Sequence, residues 1–147
     1  MQRIKLQEQP YYAFHYEVIL QPKDINYGGH LGNDTLISLI NVARVNLFQS
    51  LGFNEMDLGD GKTGIIMVDL VVNYKAEAFL FDILRIDSHI GEKTRSSFRI
   101  YHRVTREEKM IALVETSLTT FNYASRKNVP IPTAFVSAIE KWKRDLL

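Results

Sequence analysis

The chain has 147 residues, enough for one ordinary domain with a real core, and its hydrophobic (46%) and charged (24%) fractions are those of a water-soluble globular protein. A formal net charge of +1 supplies no concentrated basic face, so neither nucleic acid nor a membrane surface is expected as a partner. With no cysteine, disulfides, thiolate metal sites and a cysteine nucleophile are all excluded.

Residues 1–9 are polar and Val18-Ile-Leu20 is far too short to span a bilayer, so the sequence predicts a cytoplasmic protein without a leader. No linker divides the chain, and residues 1–147 are read as a single domain. In Ala13–Gln21, Phe14, Tyr16, Val18 and Leu20 share one face, the period of a half-buried strand. Pro22-Lys-Asp ends it.

Asp24-Ile-Asn-Tyr-Gly-Gly-His30-Leu-Gly-Asn33-Asp34 follows, with two carboxylates, two carboxamides, an imidazole and three glycines in eleven residues. The next segment, Thr35–Leu51, reads as a helix. Leu36, Leu39, Ile40, Ala43, Leu47 and Leu51 recur at helical spacing, while Ile37, Val42, Val45 and Phe48 cover much of the rest. Such a helix is expected to be wrapped by protein on nearly all sides. Asn41 and Arg44 lie one turn apart on it and predict a polar network or contact with a partner or sheet edge.

After a loop to Gly64, strands are predicted at Ile65–Tyr74, Asp82–Ile90, Arg95–Val104 and Met110–Asn122. The last three form a meander through turns at Gly91–Thr94 and Thr105–Lys109. That register sets His89 opposite about residue 96 and His102 opposite about residue 83, which forbids a metal pair. Asp69 is an outlier in its apolar strand and is read as structurally paired. A final helix begins at Pro130-Ile-Pro132-Thr133, with Thr133 as N-cap and Phe135, Ile139, Trp142 and Leu146 along one side. One curved sheet wrapped around one buried helix accommodates this order, an α+β arrangement.

Chemistry concentrates between Asp24 and Asp34. His30, in a glycine-flanked loop, can exchange a proton near neutral pH. Gly28, Gly29 and Gly32 predict positive φ or close approach to a ligand. Free N–H groups at the helix start are suited to polarising a thioester carbonyl. Asn33 or Asp34 is expected to cap the helix, Asp24 to end the strand, and Asn26 to orient water or a carbonyl, since a carboxamide is no base. No G-x-S-x-G elbow, phosphate-binding glycine loop or zinc spacing occurs. Lys93, Arg95, Arg99, Arg103, Arg106, Arg126 and Lys127 offer only a weak phosphate-binding pattern beside the simpler reading of a solvated strand face.

Asp24-Ile-Asn-Tyr-Gly-Gly-His-Leu-Gly-Asn33 resembles the D-x-D-x-x-G-H-V-N-N signature of the 4-hydroxybenzoyl-CoA thioesterase-like hotdog family. The match runs on to Ala43-Arg44, where that family has E-x-A-R. Phe81-Asp82-Ile-Leu84 resembles its G-D-x-L, and Val129-Pro-Ile-Pro132 its closing I-P. The resemblance implies a hotdog subunit that forms a homodimer or a dimer of dimers through long strands, with active sites at the interface. It implies acyl-CoA or acyl-carrier-protein thioesters as substrates and hydrolysis without a cofactor. The implied machinery is His30 acting on water, assisted by Asp34 or Asp24, with Asn26 orienting. Backbone N–H groups from Gly29 to Asn33, within the binding segment Gly28, Gly29, Gly32 and Asn33, would hold the oxyanion. Plant-type acyl-carrier-protein thioesterases keep a histidine at the position of His30.

Two positions depart from the pattern. The family's catalytic aspartate is Asn26 here, and its helix glutamate is Asn41. Loss of an ionised base costs roughly a hundred- to ten-thousand-fold in rate if nothing replaces it. Two further readings therefore stand beside hydrolysis. One is a hotdog enoyl-CoA hydratase, whose D-x-N-P-x-H motif resembles Asp24-Ile-Asn26…His30 and would make Asp24 the base. The other is a non-catalytic acyl-CoA binding or sensing protein.

Overall fold

The computed structural model describes residues 1–146. In chain order it contains β1 (Phe14–Ile19), a 3-10 turn (Pro22–Asp24), α1 (Asn33–Ser50), β2 (Thr63–Tyr74), β3 (Ile83–Lys93), β4 (Ser97–Arg106), β5 (Lys109–Asn122), β6 (Lys127–Asn128) and α2 (Thr133–Leu146). All pairings are antiparallel and the order is β1-β3-β4-β5-β2, with β6 added to β5. The curved sheet and buried helix expected from the sequence are both present.

Alternation explains the strands. Phe98, Ile100, His102 and Val104 of β4 are buried on the face that carries α1, while Arg99, Tyr101 and Arg103 point away. Two apolar clusters share α1. Leu36, Leu39, Ile40 and Ala43 pack with Leu84, Ile86, Val104 and Val114. Leu47 and Phe48 pack with Ile90, Ile100, Leu118, Phe135 and Ile139. Between them lies a buried polar layer of Ser88, His102 and Thr116.

Several expectations are corrected. β3 runs on to Lys93 and β4 starts at Ser97, so His89 pairs with Tyr101 and His102 with Ser88. The two histidines stay apart for another reason, because neighbouring registers put them on opposite faces of the sheet. The helix is not wrapped all round in the single chain, since Val42 (42%) and Val45 (48%) remain exposed. Thr133 is the first residue of α2 rather than its cap; the Pro132 carbonyl accepts from the N–H groups of Phe135 and Val136. Leu146 is exposed and does not continue the buried side of α2.

Other polar outliers find partners inside the chain. Arg44 donates from Nε to Glu55 (2.6 Å) and from a terminal nitrogen to Asn41 (3.1 Å), bracing α1 against the loop before β2. Asp69, at a bulge in β2, accepts from the Ser117 N–H and pairs with Arg99. Lys93, Arg99, Arg103 and Arg106 are matched by Glu140, Glu115, Asp87 and Asp82, so much of the cationic pattern is neutralised. The N-terminal segment crosses the outer face, where Asn73 binds the backbone of Ile4 and Leu6 and the Arg103 guanidinium stacks on Tyr12 at 4.5 Å.

The connection from β2 to β3 positions the site. The two strands are separated by β5 and β4, so residues 75–82 must cross the end of the sheet. They pass the start of α1, where the Leu31 N–H donates to Ala78 O (2.8 Å) and the Tyr74 hydroxyl donates to Asn33 O (2.9 Å). The crossing ends in a turn closed by the Asp82 N–H on Phe79 O (3.0 Å), with Phe81 at φ 66°.

Candidate active site

The segment Asp24–Asp34 folds on itself before α1 begins. Asn26 accepts the Gly28 N–H on its side-chain oxygen (2.9 Å) and the Gly29 N–H on its carbonyl (3.1 Å), while its own N–H donates to His30 O (2.9 Å). This tight turn requires φ +81° at Gly29, a conformation open to glycine at little cost. A Cβ at Gly28 would lie 3.2 Å from His30 Nε2, so the small residue makes room for the ring.

His30 has a defined tautomer. Its Nδ1 lies 3.0 Å from Leu31 O, and a carbonyl can only accept, so Nδ1 carries the proton. In the neutral ring Nε2 is then the nitrogen that carries the lone pair. Glu77 Oε1 lies 3.8 Å from it, contributed by the β2–β3 crossing. Both groups border a cavity of about 430 Å³, walled also by Asn26, Leu31, Gly32, Asn33, Leu36, Tyr74, Lys75, Ala76, Ala78 and Ile111.

Four of the residues singled out in the sequence thus line this cavity: Asn26, His30, Gly32 and Asn33. Asp24, Asp34, Gly28 and Gly29 lie outside its wall. Asp24 is buried (3% exposed), and its carboxylate accepts the Gln21 N–H (2.8 Å) and meets Lys23 (3.1 Å), closing the 3-10 turn. That carboxylate is a structural cap. Asp34 is exposed in the first turn of α1, where its charge helps burial raise the pKa of the Tyr74 phenol. Neither Asn33 nor Asp34 caps the helix; Gly32 occupies that position and no side chain serves it.

The donors available to an oxyanion also differ from expectation. The N–H groups of Gly28, Gly29, Leu31 and Gly32 are spent on Asn26, Asn26, Ala78 and Asp24. Those of Asn33, Asp34 and Thr35 fall in the first helical turn, where no intrahelical acceptor exists. Asn33, the last of the expected donors, keeps its N–H, and it lies at the positive end of the helix dipole.

The Glu77 side of the cavity was not evident in the sequence. Its only signal is the polar break Lys75-Ala-Glu-Ala at the end of an apolar strand. Among the described residues no three His, Cys, Asp or Glu side chains gather as a metal site requires. None of the described helices is long and apolar enough to cross a membrane.

Comparison with known proteins fits this geometry. Residues 20–139 match the family model described as the thioesterase-like superfamily. The chain belongs to that superfamily. Among solved structures, this thioesterase-like chain is similar to a 1,4-dihydroxy-2-naphthoyl-CoA thioesterase from Synechocystis, with 19% identity, TM-score 0.78 and coverage of 86% of this chain and 94% of that one. It is similar to a gentisyl-coenzyme A thioesterase, with 22% identity, TM-score 0.76 and coverage of 86% and 99%. A Staphylococcus aureus protein in complex with CoA aligns at 13% identity, TM-score 0.82 and coverage of 94% and 89%. At such identities the likeness establishes the hotdog fold. No curated protein matches the sequence.

Proposed function

We propose that this protein hydrolyses an acyl or aroyl thioester of coenzyme A or acyl carrier protein to the free acid and thiol. The observation that carries the reading is the meeting, at one cavity, of His30, its Nδ1 turned to Leu31 O, and Asn33, whose N–H lies in the first turn of α1 without an intrahelical acceptor. The thioester carbonyl oxygen would face the N–H group of Asn33, which stabilises the charge it gains when water adds. His30 Nε2 would bind the attacking water, and Asn26 stands beside it to orient water or carbonyl. Leu31, Leu36, Ala76, Ala78 and Ile111 offer the acyl group an apolar wall.

A homodimer, alone or paired again into a tetramer, suits this reading. β2 is a 12-residue edge strand, with Ile66 and Val68 exposed, and long apolar edges are normally paired. Its last residue, Tyr74, borders the cavity, so a partner on that edge would complete the site. The hydratase alternative is disfavoured, because the base it requires, Asp24, caps the 3-10 turn instead.

The test is thiol release from a panel of acyl- and aroyl-CoA substrates by the wild-type chain and His30→Ala. The variant is expected to lose roughly 10²–10⁴-fold in kcat. Equal rates in the two proteins would overturn the assignment. Tight acyl-CoA binding without turnover would establish the non-catalytic alternative.

A further inference from the structure

We infer that Glu77 is the general base of this site, supplying from the β2–β3 crossing the carboxylate that Asn26 cannot. The inference rests on the thioesterase reading and names the group that activates water within it.

Two carboxylates belong to the glycine-rich segment and a third, Glu77, meets it across the cavity, and their present contacts differ. Asp24 is buried in the cap of the 3-10 turn. Asp34 lies outside the cavity wall. Glu77 is in that wall, with Oε1 3.8 Å from His30 Nε2. Because His30 Nδ1 donates to Leu31 O, in the neutral ring the atoms facing each other are two proton acceptors. Their separation is too long for a direct hydrogen bond, yet a single water donating about 2.8 Å to each can bridge it. Two acceptors converging on one water leave its lone pair free to point into the cavity. Glu77 is carried on a backbone held in place, since Tyr74 and Ala78 on either side are hydrogen-bonded to Asn33 and Leu31. Its side chain is otherwise unengaged and 63% exposed, so the carboxylate has no structural duty to explain it.

The reaction then balances without any further reactant. Glu77 takes one proton from the water as the water oxygen bonds to the thioester carbon, and the carbonyl electron pair moves onto oxygen beside the Asn33 N–H group. His30 Nε2 holds the second water proton by hydrogen bond throughout. The carbonyl reforms, the carbon–sulfur bond breaks, and the departing sulfur takes the proton from the Glu77 carboxylic acid. One water is consumed, and one acid and one thiol are formed.

Glu77→Gln and Glu77→Asp in the full chain test this, with thiol release measured against substrate concentration beside wild type and His30→Ala. The expected result is a 10²–10⁴-fold fall in kcat for Glu77→Gln, with KM changed by less than about threefold, partial activity in Glu77→Asp and unchanged melting temperatures. A Glu77→Gln enzyme within about threefold of wild-type kcat, alongside an inactive His30→Ala, overturns the role of Glu77 and leaves the thioesterase reading standing. A raised KM with unchanged kcat also overturns it, assigning Glu77 to binding. Absence of turnover by the wild-type chain on every substrate defeats both readings together.

Discussion

The buried histidines make stability strongly dependent on pH, and His102 is the sharper case. Its ring is 1% exposed, its Nδ1 is 2.7 Å from the Ser88 hydroxyl, and its Nε2 has no hydrogen-bond partner among the described residues. Burial, helped by the Arg44 guanidinium, lowers its pKa to about 3. His89 is lowered to about 4 by burial and by Lys143. Both values lie below the unfolded value of about 6.5, so between them the unfolded chain binds more protons and stability falls as pH drops. One such group changes stability by about 1.4 kcal/mol per pH unit once pH is well below 6.5. From pH 7.5 to 5.0 each histidine costs about 2 kcal/mol, and the pair about 4 kcal/mol, equivalent to roughly 8–16 °C in Tm for a chain of this size. His102→Gln carries no charge at any of these values and should halve the loss to about 2 kcal/mol, whatever its own stability at pH 7.5. Urea unfolding of both proteins at pH 7.5, 6.5, 5.5 and 5.0 measures this, because contributions from other groups are shared and cancel in the difference. Parallel plots of unfolding free energy against pH for the two proteins would refute the argument.

Two further outcomes follow from backbone geometry. Gly64→Ala should destabilise the fold by about 1–3 kcal/mol in a denaturant melt, because its Cβ would lie 2.6 Å from the Glu55 carbonyl oxygen, where backbone meets backbone. Phe81→Gly should raise stability by about 1 kcal/mol, roughly 2–4 °C in Tm, since Phe81 sits at φ 66° with its side chain 63% exposed; a drop in Tm would show that its apolar contacts outweigh the strain.

Periodicity made the long elements legible. Alternating apolar residues located β1 and β5, and the 3.6-residue period located α1 to within two residues of its start. Pairing was harder to read. Gly91 resembles a turn residue, but it lies within β3, where the Tyr101 ring of β4 packs over it and leaves no room for a Cβ. The turn is closed instead by the Thr94 N–H on Ser97 O, and that position sets the whole β3–β4 register. The site divided the same way. His30, Asn26 and the glycine turn are local in sequence and stand out there together. Asp24 and Asp34 stand out by proximity, yet a carboxylate beside a turn can equally serve as a cap, as Asp24 does, and only its hydrogen bonds reveal that. Glu77 lies far along the chain from His30, and only the crossing of the sheet end brings them to 3.8 Å.

The crossing has a mechanical consequence. Tyr74, the last residue of the edge strand β2, is bonded to the carbonyl of Asn33, and within four residues Ala78 is bonded to Leu31. The strand end and the helix end are thus stitched at two points, with Glu77 on the short span between the stitches. A shift of β2 is transmitted like the movement of a lever, altering the spacing of carboxylate, imidazole and helix N–H groups together. The edge that would seat a second subunit and the groups that would meet the thioester are one connected part of the chain.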